Sequence, residues 1–358
     1  MKSLDSNKNT TIYVAISGGV DSSVSAYLLK KEGFKVVGVF MKPWQPDRGS
    51  FKCLWKEDRE YALRVCSHLN IPFKTWDFSK EYKKEVADYM IREYKLGRTP
   101  NPDIMCNKEI KFGLFFKRAL KEGADLIATG HYARVKKVMD KKDKSESFAL
   151  LAGKDKNKDQ SYFLWTLNQK QLSKTLFPVG DLDKSEVRKL AKKINLPNHD
   201  KKDSQGICFI GSIDVKEFLK EYIVPKNGSI LDEGGNNIGM HEGAYYYTIG
   251  QRHGLNITNG QGPYYVLSKD IKKNIIFVGK EEKLMLNQTR INGFSWTREE
   301  PTFPVKVKVR LRYRASLKDA ILEKSGKLNL RKSERAISPG QSAVFYKKDQ
   351  VLGGGIII

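Results

Sequence analysis

Ser17-Gly18-Gly19-Val20-Asp21-Ser22-Ser23 stands between an apolar run at 11–16 and a helical pattern that opens near Val20 and ends at Gly33. Ile12, Val14 and Ile16 with Tyr13 and Ala15 make the nearly continuous apolar run of a buried parallel strand, and Val24, Leu28 and Leu29 then recur at helical spacing. The glycines therefore fall at a strand-to-helix corner. Gly18 and Gly19 let the backbone approach a ligand, and the free amides of the helix start, with the hydroxyls of Ser17, Ser22 and Ser23, suit an anion. No Lys follows the glycines and their spacing is not G-x-G-x-x-G, which argues against a simple kinase or a dehydrogenase. A plain tight turn in an α/β domain is the other reading of the same residues.

Outward from this loop the chain keeps a β-α rhythm. Strands are expected at 36–41, 72–78 and 126–128, with helices at about 59–69, 82–94 and 105–121 between them, which predicts a doubly wound parallel sheet. Gly130, His131 and Tyr132 then fall at the carboxyl edge of that sheet, where ligands of such folds bind. Residues 136–147 read as a solvated hairpin tip, and Asp183 with Glu186 opens a capped helix reaching Ile194. After about Ser212, glycines punctuate short aromatic and β-branched runs, and from Asn274 long alternating strands follow. The expected layout is an α/β nucleotide-binding domain over 1–214, a small, mostly β central domain over 215–279 and a C-terminal β-barrel over 280–358.

The 358 residues carry 65 Lys and Arg against 41 Asp and Glu, a formal net charge of +24. Such an excess favours a polyanionic partner, nucleic acid first, although a lysine-rich proteome gives the same balance. Val305, Val307, Val309, Leu311 and Tyr313 alternate with Lys306, Lys308, Arg310, Arg312 and Arg314. A single strand would set the cations about 6.6 Å apart on one face, close to the phosphate spacing of a nucleic acid; the alternative is the lysine-guarded outer face of a barrel strand. Four cysteines, no signal-like leader and no apolar run near ~20 residues point to a cytoplasmic protein with reduced thiols and no membrane span. There is no C-x-x-C and the five histidines are scattered, so no resident metal is expected.

Two cysteine segments carry the candidate chemistry. In Gly97-Arg98-Thr99-Pro100-Asn101-Pro102-Asp103-Ile104-Met105-Cys106, the prolines fix an extended loop and Asp103 is a natural N-cap, which puts Cys106 in the first helical turn, where the dipole favours thiolate. In Lys201-Lys202-Asp203-Ser204-Gln205-Gly206-Ile207-Cys208, two lysines precede a glycine-flanked thiol. Cys53 and Cys66 have no such surroundings and read as small buried hydrophobes.

The Ser-Gly-Gly-x-Asp-Ser loop resembles that of the PP-loop ATP pyrophosphatases, which cleave ATP between the α and β phosphates and adenylate a carbonyl-type oxygen. From Thr11 to Ile358 the chain is similar to the bacterial tRNA-specific 2-thiouridylases, on the glycine loop, Phe40-Met41-Lys42, 97–112, 128–132, 158–164, 201–211, Gly250-Gln251-Arg252, Arg312-Tyr313 and 339–346. That resemblance implies ATP, with Mg2+ near Asp21, held by Ala15, Ile16, Ser17, Gly18, Gly19, Val20, Asp21, Ser22, Met41 and Gly130. It implies a target base met by Asn101, Pro102 and Asp103, and tRNA contacts from Lys158, Asp159, Gln160, Arg312 and Tyr313. Cys208 would carry a persulfide from the sulfur donor protein of a cysteine desulfurase relay, and Cys106 would be the partner nucleophile, in a protein expected to be monomeric. Asp103 is thus claimed twice, as helix cap and as acid or base. An adenylating PP-loop ligase or synthetase acting on a small molecule is the alternative.

Overall fold

In a computed structural model that describes residues 7–46, 54–139, 145–203 and 215–358, the apolar run before the glycines is strand β1 (Thr11–Ala15). The later runs become β2 (Lys35–Lys42), β3 (Phe73–Asp77), β4 (Leu126–Thr129), the hairpin β5 (Ala133–Met139) and β6 (Glu146–Ala152), and the short β7 (Thr175–Leu176). Strands β3-β2-β1-β4-β7 form one sheet in that order, and all four pairings are parallel. Because the chain grows outward from β1 to β3 and then returns to β4 on the other side, the order reverses between β1 and β4. In sheets of this kind the crevice at that reversal takes the ligand.

The helices are α1 (Val20–Lys31), α2 (Leu54–His68), α3 at 79–95, α4 at 102–121 and α5 (Lys184–Lys193). Within α4 the stretch Cys106–Phe115 is wound as a π-helix, a widening found frequently at functional sites. Helix α2 opens five residues before the sequence reading placed it. α5 begins where expected, with Glu186 Oε2 accepting from the Asp183 amide at 2.7 Å as a capping box requires. Cys66 is fully buried under β2, and burial pushes its thiol up to about 12, as suits a small core hydrophobe. Cys53 lies outside the described residues.

Beyond the short helix α6 (Val215–Lys220), four strands form a second sheet: β8 (Gly228–Leu231), β9 (Asn237–His241), β10 (Tyr265–Asp270) and β11 (Ile275–Gly279), in the order β10-β11-β8-β9. The last six strands are β12 (Met285–Trp296), β13 (Val305–Arg310), β14 (Lys318–Leu322), β15 (Lys327–Arg335), β16 (Ser342–Lys347) and β17 (Gln350–Ile357). They run β12-β15-β14-β13-β16-β17, and the β12–β17 pairing closes them into an antiparallel barrel. Strand β17 also pairs with β6, so the β5–β6 hairpin is added to the barrel sheet.

The five-cation stripe does not form. Strand β13 ends at Arg310, and Arg312 and Arg314 lie beyond it, Arg314 with a left-handed φ of +65°. Within the strand, Lys308 pairs with Asp319 at 3.0 Å and Arg310 turns to a buried Asp159 at 3.1 Å. Lys306 is exposed. The alternation of valines and cations correctly marked an inner and an outer face, but the outer charges are largely used within the protein.

Candidate functional site

The glycine loop lies at the β1/β4 reversal, and close packing shapes it. Gly18 has φ +78° and its missing side chain leaves room for the Asp58 carbonyl of α2. Across the crevice, a Cβ at Gly130 would lie 2.6 Å from the Ser22 amide nitrogen. Ser22 Oγ donates to the Gly19 carbonyl at 3.0 Å and accepts from the Ser17 amide at 3.2 Å, which curls the loop over the start of α1. The first-turn amides of α1 have no partner within the helix, so they and the dipole remain available to an anion. Ser17 is exposed, whereas Ser23 is fully buried, donating to the Gly19 carbonyl and accepting from Asn198. The expectation that Ser23 offers its hydroxyl to a ligand is therefore corrected. Ala15, Ile16, Val20 and Met41 are also buried, so their side chains wall the crevice from behind.

Asp21 is the charged residue of the loop, and it is not alone. Both of its oxygens accept from Lys184 Nζ, at 2.7 and 2.8 Å, and Oδ1 accepts from the Tyr132 hydroxyl at 2.8 Å. Burial and the Asp21 charge push the Tyr132 hydroxyl well above its usual range, which keeps it a donor. Lys184 also pairs with Asp203 at 2.8 Å, and Asp203 is met by Lys158 at 2.7 Å and Arg188 at 2.5 Å. Partial burial works against it, but these cations hold the Asp203 carboxyl well below the usual carboxylate range. Lys184, Tyr132, Asn198 and Arg188 were not read as a group from sequence. One signal was there: Lys184 is the first residue of α5, where the helix dipole disfavours a cation.

The second element is the loop before α4. The cap of that helix is Asn101, whose side-chain oxygen accepts from the Asp103 amide at 3.1 Å, with Pro102 at the first helical position. Asp103 is not the cap, so capping makes no claim on its carboxylate. Cys106 is consequently the fifth helical residue and not in the first turn; its amide is already bonded to the Pro102 and Asp103 carbonyls. It is fully buried, in the same apolar cluster as Ala15 and Met41 from the carboxyl ends of β1 and β2. Cys106 therefore lacks the first-turn position from which the helix dipole was expected to favour its thiolate. Further along α4, Phe112 packs on His131 with ring centroids 5.9 Å apart, which joins this helix to the residue after Gly130. Burial, with Lys111 nearby, keeps the His131 ring well below its usual pKa, and its Nδ1 lies 2.7 Å from Thr129 Oγ1.

The residues expected at the RNA divide sharply. Asp159 is buried: Oδ1 accepts from the Gly153 and Ser161 amides, each at 3.0 Å, and Oδ2 faces Arg310. Its carboxylate is an internal brace. Gln160 is half-buried, its Oε1 accepting from the Tyr132 amide at 3.0 Å, and Lys158 is committed to Asp203. Arg312 is exposed, and Tyr313 packs on Phe163 at 4.4 Å between centroids. Arg312 also helps line an open cavity of about 390 Å3 with Thr99, Thr248, Gln251, Ser338 and Gln341, at the junction of the α/β part, the central sheet and the barrel. Cys208 lies outside the described residues, so its distance from Cys106 is not part of this geometry. Among the described residues no helix is long and apolar enough to cross a membrane.

Comparison with known proteins follows the same three parts. Residues 10–212 match the family described as "tRNA methyl transferase HUP domain", 216–280 the "tRNA methyl transferase PRC-barrel domain" and 287–357 the "Aminomethyltransferase beta-barrel domain". The chain is 44% identical to the tRNA-specific 2-thiouridylase MnmA of Pseudoalteromonas translucida (strain TAC 125), over 99% of both chains. It is 45% identical to that of Francisella tularensis subsp. novicida (strain U112), over 98% of this chain and 100% of the relative. A glycine loop at the sheet reversal, a cysteine helix packed on the same sheet edge and this end-to-end identity agree, and the chain belongs to the tRNA-specific 2-thiouridylase family.

Proposed function

We propose that the protein replaces the 2-oxygen of the wobble uridine of tRNA by sulfur, using ATP. Residues 1–214 bind the nucleotide and carry the chemistry, 215–279 link, and 280–358 help hold the RNA. In this reading the uridine 2-carbonyl oxygen attacks the α-phosphate, pyrophosphate leaves toward the glycine loop, and the adenylated oxygen becomes a leaving group. The outer sulfur of a Cys208 persulfide, supplied by a donor protein, then bonds to C2 and AMP departs. Cys106 breaks the sulfur–sulfur bond of that persulfide, either first, releasing hydrosulfide, or afterwards, leaving the product sulfur on the base. Both orders end with a Cys106–Cys208 disulfide that an external thiol must reduce.

The observation that carries the reading is the loop at the β1/β4 reversal, with unpartnered first-turn amides and Gly130 closed upon it, facing the edge on which α4 packs. Asp21 is the carboxylate suited to a hard cation on the triphosphate, which would neutralise charge as pyrophosphate leaves. The contacts proposed for the base are Asn101, Pro102 and Asp103, and for the tRNA the segment Lys158, Asp159 and Gln160 with Arg312 and Tyr313, of which Arg312 lines the three-part cavity.

The test is incubation with ATP, a sulfide donor and unmodified tRNA, followed by nucleoside analysis for 2-thiouridine. Cys106→Ser and Cys208→Ser should each abolish thiolation with persulfide as donor while ATP still binds. Normal thiouridine from either variant would refute the relay, and metabolite-stimulated pyrophosphate release indifferent to tRNA would select a small-molecule ligase.

A further inference from the structure

One ammonium group joins the nucleotide loop to the strand of chain that leads into the Cys208 segment. Lys184 Nζ lies 2.7 Å from Asp21 Oδ1 and 2.8 Å from Asp203 Oδ1, and the lysine side chain is 14% exposed, too enclosed to be a casual surface pair. Its position is costly for the helix, being the first residue of α5, and its own amide is anchored by Asp155 Oδ2 at 3.0 Å. A cation that has been withdrawn from water and set against the helix dipole needs both carboxylates to offset the cost.

The same stretch of chain is tied to the loop twice more. Asn198, fully buried, donates to the Gly18 carbonyl at 2.9 Å and to Ser23 Oγ at 3.0 Å. Lys201 pairs with Asp58 at 2.5 Å, the residue whose carbonyl occupies the space beside Gly18. Neither of these two ties involves Asp21. The Lys184 tie differs, because a triphosphate attracts the ammonium and a cation accompanying it attracts Asp21.

We propose that Lys184 is a positioning residue that couples nucleotide binding at Asp21 to Asp203. The inference rests on the reading that the glycine loop holds ATP. An incoming triphosphate competes with Asp203 for Lys184, so Asp203 weakens ATP binding and bound ATP loosens the hold on Asp203. The two effects are equal by linkage. Asp203 stands at the root of residues 204–214, so the nucleotide state is communicated to the place where the persulfide cysteine's segment begins.

Calorimetric ATP binding to the full chain, with magnesium and without tRNA, tests this through a cycle of Asp203→Asn, Lys184→Met and the double variant. Asp203→Asn should tighten ATP binding about fivefold or more, the low end of ordinary coupling, and the same change in the Lys184→Met background should alter it by less than about twofold. Lys184→Arg, which keeps the charge, should preserve most of the Asp203→Asn effect, and Lys184→Gln, which removes it, supplies the cycle should Lys184→Met not fold. An Asp203→Asn effect of equal size with and without the lysine would mean a diffuse field, and would overturn the coupling. No effect of Asp203→Asn in the parent chain would overturn it too. A parent chain that binds no ATP would sink the proposed function itself, whereas ATP binding with additive variants sinks this inference alone.

Discussion

Gly130→Ala tests whether the glycine loop is set by packing as closely as the structure indicates. The added Cβ would lie 2.6 Å from the Ser22 amide nitrogen and 2.9 Å from Asp21 C and Ser22 Cα, all main-chain atoms of the first turn of α1. Ordinary contacts begin near 3.4 Å, so loop and strand end must separate by about 0.8 Å, and no flexible side chain is there to yield. The backbone of Gly130 is not left-handed, so the effect is one of space alone. Overpacking of this kind costs about 1–3 kcal/mol of stability. The larger effect falls on the reaction, because a displacement near 1 Å of a positioning group costs about 100-fold. The expected result is a fall of about 50- to 100-fold in kcat/KM for ATP, read as pyrophosphate release with tRNA and sulfide present. Affinity for tRNA, measured without ATP, should fall far less, because the added methyl meets main-chain atoms of Asp21 and Ser22 and none of the residues proposed to hold the RNA. Wild-type ATP kinetics in this variant would refute the reasoning, since the loop would then tolerate displacement without consequence.

Three further outcomes are expected. Arg310→Met leaves Asp159 buried with its two amide donors but no counter-charge, and should lower stability by about 3–5 kcal/mol in urea unfolding, partly restored by adding Asp159→Asn; an unchanged midpoint would remove the brace assigned to this pair. Burial lowers Lys269 from 10.5 to about 8, so between those values the unfolded chain binds more protons and stability rises with pH, while below about 8 both states are protonated and the cost is constant. That rise should be missing from Lys269→Met when unfolding midpoints at pH 8 and 10 are compared with the parent, and an identical rise would assign it elsewhere. Arg312→Ala should weaken tRNA binding and reduce the slope of log affinity against log salt by about one, as loss of one phosphate contact requires; an unchanged slope would remove Arg312 from the interface.

What the sequence disclosed is what is local. The β1 run, the glycine pair, the β-α rhythm and the Asp183/Glu186 box are each decided within a few residues, by strand period, turn chemistry and capping. The cap of α4 was also decided locally but was misassigned. Asp103 is a good capping residue, yet Pro102 is better suited to the first helical position, and that preference moves the cap back to Asn101 and Cys106 into the second turn. The cation stripe failed for a different reason. Alternation says which side chains share a face, not where the strand stops, nor that Arg310 meets a carboxylate 151 positions away. Asn198 grips Gly18 across 180 positions, and no local pattern carries that information.

These long-range ties decide how the proposed RNA grip relates to the chemistry. The Thr99 amide donates to the Pro339 carbonyl at 2.8 Å, Gln341 Nε2 donates to the Thr99 carbonyl at 2.7 Å, and Thr99 Oγ1 donates to Thr248 Oγ1 at 3.2 Å. The loop proposed to meet the base is therefore held by the barrel and the central sheet as well as by α4. Arg310 fixes Asp159 between Lys158 and Gln160, Tyr313 packs on Phe163, and β17 pairs with β6. In the proposed reaction a barrel joined to the α/β part by main-chain pairing, a buried ion pair and a clamped loop is part of the catalytic scaffold, because the loop and the 158–160 segment that these ties fix are the ones proposed to meet the base and the RNA. Removing residues 280–358 would therefore take away supports of the base loop and of the 158–160 segment, so the loss would fall on turnover with any RNA as well as on affinity. Separate folding and intact chemistry in a chain ending at 279 would require those ties to be dispensable, and the buried Asp159, left without its counter-charge, argues that they are not.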